Sequence, residues 1–151
     1  MTGRQMTPQQ WLILTEQIQP ELWLAIRRLP PGSGILMLGQ PSAKEQRRLR
    51  HLGALRSLAV VIEARGGAAR VHNAGELRRA MLRRTPIILL SPLWPTHSHP
   101  EWKPLPRMRA AALARLGGRK LLALGGMDAK RYATVAQLGF IGWAGISAFR
   151  I

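Results

Sequence analysis

The sequence predicts an α/β protein in which a parallel sheet is covered by helices, and three observations carry that prediction. Short, continuously apolar segments recur along the chain, and without polar alternation each reads as a strand buried on both faces. They alternate with amphipathic stretches of helical length, the order that builds βα units. Apolar residues make up 46% of the 151, enough to bury the core of one domain spanning residues 1–151.

Trp11 to Glu16 reads as the first strand. A helix started by Pro20 carries Leu22, Leu24, Ile26 and Leu29 and stops at Pro30-Pro31-Gly32. Ile35 to Leu38 repeats the strand, and Ser42 with Glu45 forms a capping box for a helix running to Ser57, with Leu49, Leu52 and Leu55 on its buried face. Leu58 to Glu63 is the third strand; after Arg65-Gly66-Gly67 come an extended Arg70 to His72 and a helix from Gly75 to Arg84 around Leu77 and Met81. Ile87 to Ser91 is a strand that Pro92 and Pro95 break into a long loop. A helix from Pro106 to Leu116, a strand Lys120 to Leu124, a helix capped by Asp128 and a strand Ile141 to Ile146 complete the chain.

Neither a GxGxxG turn after the first strand nor a Walker phosphate loop is present, which leaves a (βα)-barrel of the TIM type rather than an open nucleotide-binding sheet. Such barrels need about 250 residues and at least about 200. Between Glu63 and Arg70 only a short loop is available, whereas a parallel crossover takes about a dozen residues. The barrel is therefore expected to be shortened by about one βα unit in the middle of the chain, in the region 64–73. Residues 1–10 are expected to be disordered. A missing unit would leave strand edges or an apolar face uncovered, which predicts a homodimer with Trp102, Leu105 and Met108 as contact residues.

Lys and Arg number 23 against 7 Asp and Glu, a formal charge of +16. Thirteen of the 23 lie between Arg27 and Arg84, so the excess is not a tail. Lys44, Arg47 and Arg48, and then Arg78, Arg79, Arg83 and Arg84, read as solvated helix faces. The positive field favours small phosphorylated ligands and salt-sensitive, non-specific contact with nucleic acid, but two Phe, one Tyr and five Trp form no nucleic-acid reading module. Absence of cysteine excludes disulfides and thiolate chemistry, and no apolar run approaches the roughly 18 residues of a membrane span; the expectation is a cytoplasmic protein.

Three motifs carry chemistry. Ser91-Pro92-Leu93-Trp94-Pro95-Thr96-His97-Ser98-His99-Pro100 follows a buried strand directly, at the edge where parallel barrels bind ligands, and its hydroxyls and imidazoles can donate to phosphate oxygens. An ordinary exposed loop reads equally well, and His97-Ser98-His99 would supply half of a zinc site, with only Glu101 nearby as a carboxylate. Leu121 to Leu124 runs into Gly125-Gly126-Met127-Asp128, where backbone N–H groups at a strand-to-helix turn can approach a phosphate. Gly145-Ile146-Ser147 ends the last strand and would lie beside that turn. His72 is a candidate general base.

Together these residues resemble the thiamine phosphate synthase and thiazole tautomerase family. The segment Leu90 to Pro100 is similar to the family's Gly/Ser-Pro-hydrophobic-Phe-Pro-Thr-x-Ser/Thr loop with Trp94 for Phe, Leu122 to Met127 to its Ala-hydrophobic-Gly-Gly-Ile turn, and Trp143 to Ala148 to its closing strand. The resemblance implies thiamine biosynthesis, with Gly125, Gly126, Ile146 and Ser147 holding the phosphate of a thiazole phosphate and Thr96 and Ser98 facing the thiazole and a pyrophosphate. It also implies a transferase that joins a pyrimidine-methyl pyrophosphate to the thiazole with Mg²⁺ assistance. The chain departs from the pattern where it matters for that step: Met37-Leu38-Gly39-Gln40 replaces an Arg and Lys, Ile62-Glu63-Ala64-Arg65 replaces an Asn-Asp-Arg run and leaves Glu63 as the metal ligand, and the second metal-binding Asp falls in the shortened region. A metal-independent tautomerase using His72, or a non-catalytic protein that binds phosphorylated ligands and associates with nucleic acid, are the alternatives.

Overall fold

The computed structural model describes residues 8–15, 18–96 and 100–149. In chain order these form β1 (Gln10–Leu14), α1 (Pro20–Arg28), β2 (Gly34–Met37), α2 (Ala43–Arg56), β3 (Ala59–Ile62), β4 (Ala68–Val71), α3 (Ala74–Leu82), β5 (Ile87–Leu90), α4 (Arg107–Leu116), β6 (Leu121–Ala123), α5 (Ala129–Val135) and β7 (Gly142–Gly145). All ladders are parallel, in the order β3-β2-β1-β7-β6-β5-β4. The seven strands curl into a nearly closed barrel, one short of the eight of a complete TIM ring.

Local chemistry sets the helix boundaries. Pro20 stands in the first turn of α1, and Leu29, held extended at ψ 136° ahead of Pro30, ends it. Ser42 and Glu45 form the reciprocal capping box of α2, while Asn73 and Asp128 accept the backbone N–H of Glu76 and Arg131 at the starts of α3 and α5. Leu55, expected on the buried face of α2, is 67% exposed. Two steps of three residues from Leu49 fall about 120° short of two full turns, which rotates Leu55 out of the face that Leu49 sets. Met81 is likewise exposed, because Leu77 and Ala80 define the buried stripe of α3.

Alternation along each strand splits the core in two. One set faces the bore: Trp11 and Ile13 of β1, Leu36 of β2, Ala68 of β4, Leu89 of β5, Leu122 of β6 and Ala144 of β7. The other set faces the helices, with Leu12, Leu14, Ile35 and Met37 against α1 and α2, and Val71, Leu90, Leu121 and Ala123 against α3, α4 and α5. Trp11 is the largest side chain in the bore and pairs in register with Gly34. A Cβ at Gly34 would run into the indole, so the glycine is what admits it.

The shortened region lies between β3 and β4. These strands are consecutive in the chain, yet they form the two edges of the sheet and share no ladder. A single 3₁₀ turn over Glu63–Arg65, then Gly66 at φ 75° and Gly67, replaces a helical crossover. A Cβ on Gly67 would lie 2.8 Å from Cγ1 of Val61, so the link folds straight back onto β3. Side chains span the opening: Ala59, Val61 and Ala68 share the inner core, and Arg70 on β4 reaches Glu63 at 3.1 Å.

At the N-terminus, residues 1–7 lie outside the described residues. Pro8 to Gln10, expected in the disordered segment, are held: the Pro8 carbonyl accepts from the Trp11 indole at 2.9 Å and the Gln9 carbonyl from Trp143 N–H at 2.8 Å. Of the residues expected at a dimer contact, Leu105 packs against its own core, whereas Met108 is 86% exposed and Trp102 partly so. Among the described residues no helix is long and apolar enough to cross a membrane.

The bore packing generates a first prediction. Trp11→Ala should lower unfolding stability by about 3–5 kcal/mol in urea titrations, a large part of what a domain of this size possesses. Leu82→Ser, at a site 83% exposed, should change it by less than about 0.5 kcal/mol.

Candidate functional site

Parallel strands place every βα turn at one end of the barrel, and the candidate residues follow five of the strands there, β3 to β7. After β5, the backbone N–H of Leu93 donates to the Leu124 carbonyl and that of Trp94 to the Gly125 carbonyl, each at 3.1 Å. The proline-rich segment is thereby strapped to the turn that follows β6. Gly125 and Gly126 have φ of 102° and 59°, the left-handed region that glycine adopts most freely. Cβ atoms there would sit 2.8 Å from Cα of Pro92 and 2.5 Å from the Pro95 carbonyl oxygen. The two glycines are thus required by close packing of the neighbouring loop.

The same turn also faces the end of β7. A Cβ on Gly145 would stand 3.0 Å from the Met127 carbonyl oxygen, so the Gly125–Met127 turn and the start of Ile146–Ser147 are neighbours, as expected. Ile146 closes the inner core, and its carbonyl accepts from Phe149 N–H as the chain enters a 3₁₀ turn over Ser147–Phe149. The N–H groups of Gly125 and Gly126 meet no acceptor among the described residues. By contrast, α5 is only a short helix, and the Arg131 N–H in its first turn is taken by Oδ1 of Asp128 at 2.7 Å.

Arg131 is a residue that sequence reasoning passed over. Its guanidinium donates to the Gly126 carbonyl at 2.6 Å and lies 5.9 Å from the Trp94 ring. One of five N–H donors is used there, leaving the rest of the fork beside the glycine turn. Its placement five residues beyond Gly126, after an Asp N-cap, was the available signal.

The other candidates are dispersed. Thr96 ends the described part of the loop; Ser98, His97 and His99 lie outside the described residues, as does the side chain of Ser147. His72 follows β4, and its Nδ1 lies 3.3 Å from Oε1 of Glu76, which also accepts from the Asn73 amide at 3.1 Å. The imidazole packs edge-on against Trp102, with ring centroids 5.4 Å apart. These contacts make His72, Asn73 and Glu76 a cap for α3, which gives the histidine a structural occupation. Between β4 and β6 stands β5, so His72 and Gly125 rise from strands that do not touch in the ladder.

Glu63 sits at the slot between β3 and β4. Its Oε1 is paired with Arg70, and its Oε2 is buried without a partner. Among the described residues no three His, Asp or Glu side chains come together as a metal site. Glu63, half-neutralised by a guanidinium and lacking a second carboxylate, does not fit the role of Mg²⁺ ligand. A recess of about 440 Å³ lies on the outer ring along α1, where Arg48 stacks 4.0 Å above the Trp23 ring.

Comparison with known proteins agrees with this geometry at the level of fold. The chain is similar to the solved structure of a thiamine phosphate pyrophosphorylase from Pyrococcus furiosus, with a TM-score of 0.72 over 97% of this chain and 89% of that one, at 14% sequence identity. No family model and no curated protein matches the chain. What this likeness shows is the fold, a barrel like that of the thiamine phosphate pyrophosphorylase.

The packing at the turn is directly testable. Gly125→Ala should destabilise the fold by about 1–3 kcal/mol in thermal or urea unfolding, from combined backbone strain and collision with Pro92. Asn73→Ala should cost about 1 kcal/mol through loss of the α3 cap.

Proposed function

We propose that this protein binds a small phosphorylated thiazole at the mouth of the barrel, with the phosphate on the Gly125–Gly126 turn and the end of β7. The observation that carries the reading is the juxtaposition of that turn, its N–H groups unmet among the described residues, with Ile146–Ser147 and the Arg131 guanidinium. Backbone N–H groups in a positive-φ turn form a concave donor set suited to phosphate oxygens, and Arg131 adds the charge. Thr96 and Ser98, carried on the loop strapped to this turn, would face the heterocycle. The solved neighbour is named as a thiamine phosphate pyrophosphorylase, and the motif order of the chain supports the same ligand class.

Binding is proposed here without efficient coupling. Expelling pyrophosphate needs cations fixed near its oxygens. Met37 to Gln40 brings no cation to that region, and Glu63 is engaged with Arg70. With Glu63 unfit, Mg²⁺ would have to arrive with the pyrophosphate itself and gain little from the protein.

Calorimetry with thiazole phosphate, followed by a coupled assay for thiamine phosphate, tests both halves. Binding is expected, with Ser147→Asp weakening it by about tenfold or more through charge repulsion. Glu63→Gln and His72→Asn should leave affinity within about twofold, since neither side chain belongs to the phosphate site. No heat of binding would sink the ligand claim, and fast Mg²⁺-dependent turnover would sink the claim that coupling is weak.

A further inference from the structure

The end of the barrel opposite the candidate site has a composition of its own. Parallel topology gathers there the C-termini of the helices and the starts of the strands. Arg27 and Arg28 stand in the last turn of α1, Arg56 in that of α2 and Arg115 in that of α4. Arg83 and Arg84 follow α3, while Arg119 and Lys120 lead into β6. All eight are exposed. The acidic residues are elsewhere: Glu21, Glu45 and Glu76 lie in the first turns of α1, α2 and α3, Glu63 and Glu101 follow β3 and β5, and Asp128 caps α5. Among the described residues, the far end therefore carries cations and no carboxylate.

Helix dipoles favour basic residues in a last turn, and that accounts for part of the pattern. Two further features are not explained by it. Arg84 and Arg119 adopt φ of 54° and 59°, a left-handed cap conformation normally filled by glycine or asparagine. Arginine at both positions keeps charge on this face against the preference of the backbone. In addition, Leu55, Leu82 and Leu116 are exposed at the ends of α2, α3 and α4, each adjacent in sequence to an arginine. Leucines exposed between cations match a lipid headgroup layer, which supplies negative charge above and hydrocarbon just below. Binding of a nucleic acid would be served by exposed aromatics, and the described aromatics nearest this end, Trp11, Phe140 and Trp143, are buried.

We propose that this end of the barrel docks on an anionic lipid bilayer surface, leaving the ligand mouth facing away from the membrane. The surface is independent of the thiazole phosphate reading, since no residue is shared between them.

Co-sedimentation of the full chain with vesicles tests the proposal, comparing phosphatidylcholine alone with a mixture containing about 30% phosphatidylserine at physiological salt. Binding is expected only to the mixture. Arg84→Gly combined with Arg119→Gly should weaken it by roughly tenfold or more, while thermal stability holds or rises because glycine suits the left-handed caps. Leu55→Ser combined with Leu82→Ser should weaken vesicle binding several-fold and leave binding to an RNA oligonucleotide unchanged. Equal binding to both vesicle types, no vesicle binding, or a leucine pair without effect on it would overturn the proposal; in the last case, tight oligonucleotide binding would identify a nucleic-acid surface instead.

Discussion

Residues 63–67 must carry the chain from the end of β3 to the start of β4, and a parallel crossover cannot be made in that length. Much of the molecule follows from this constraint. The two strands cannot be hydrogen-bonded neighbours, so they become the edges of a seven-stranded sheet whose ring is completed by side chains. The turn sets Glu63 against the slot, where Arg70 from the opposite edge meets it. A carboxylate that a complete barrel could offer to a cation is here an ion pair across a seam. The deletion that makes the ring small is thus also what weakens the case for metal-assisted chemistry.

Most elements were legible in the sequence because their signals are local. Pro20, the Ser42–Glu45 box and the Asp128 cap fix helix starts whatever the tertiary context, and the apolar runs from β1 to β7 could be buried on both faces only in a covered parallel sheet. The missing unit was visible as a chain too short for its crossover. What could not be read was rotational: Leu55 and Met81 carry the right residue type at helix-like spacing, but which stripe is buried depends on where the neighbouring strand lies. The site was legible in the same uneven way. Glycine turns and the order of motifs are sequence properties, whereas the tie from Arg131 to Gly126 and the engagement of His72 with Glu76 exist only after folding.

Charge is distributed along the barrel axis as well as along the chain. With the described acids at the βα-turn end and an exposed cationic end opposite, the net +16 is not a uniform coat. Near the mouth, Asp128 lies one turn from Arg131, so the positive charge at the glycine turn is partly offset and phosphate selection there draws on directed N–H donors together with the Arg131 guanidinium. At the far end the field is unopposed, which suits a large surface carrying many negative charges better than a small ligand.

The glycine turn itself meets two demands at once. Cβ atoms at Gly125 and Gly126 would strike the Pro92–Pro95 segment, so packing alone would select glycine at both. Packing does not, however, require that their N–H groups lack an acceptor, and a turn used only as a strut gains from satisfying them. The carbonyls that share their peptide planes do find partners, that of Leu124 in Leu93 N–H and that of Gly125 in Trp94 N–H, which fixes the planes and therefore the direction of the N–H bonds. Rigid planes with donors left over are what a phosphate-binding turn needs before any ligand arrives, because donors fixed in advance lose little entropy when the anion binds.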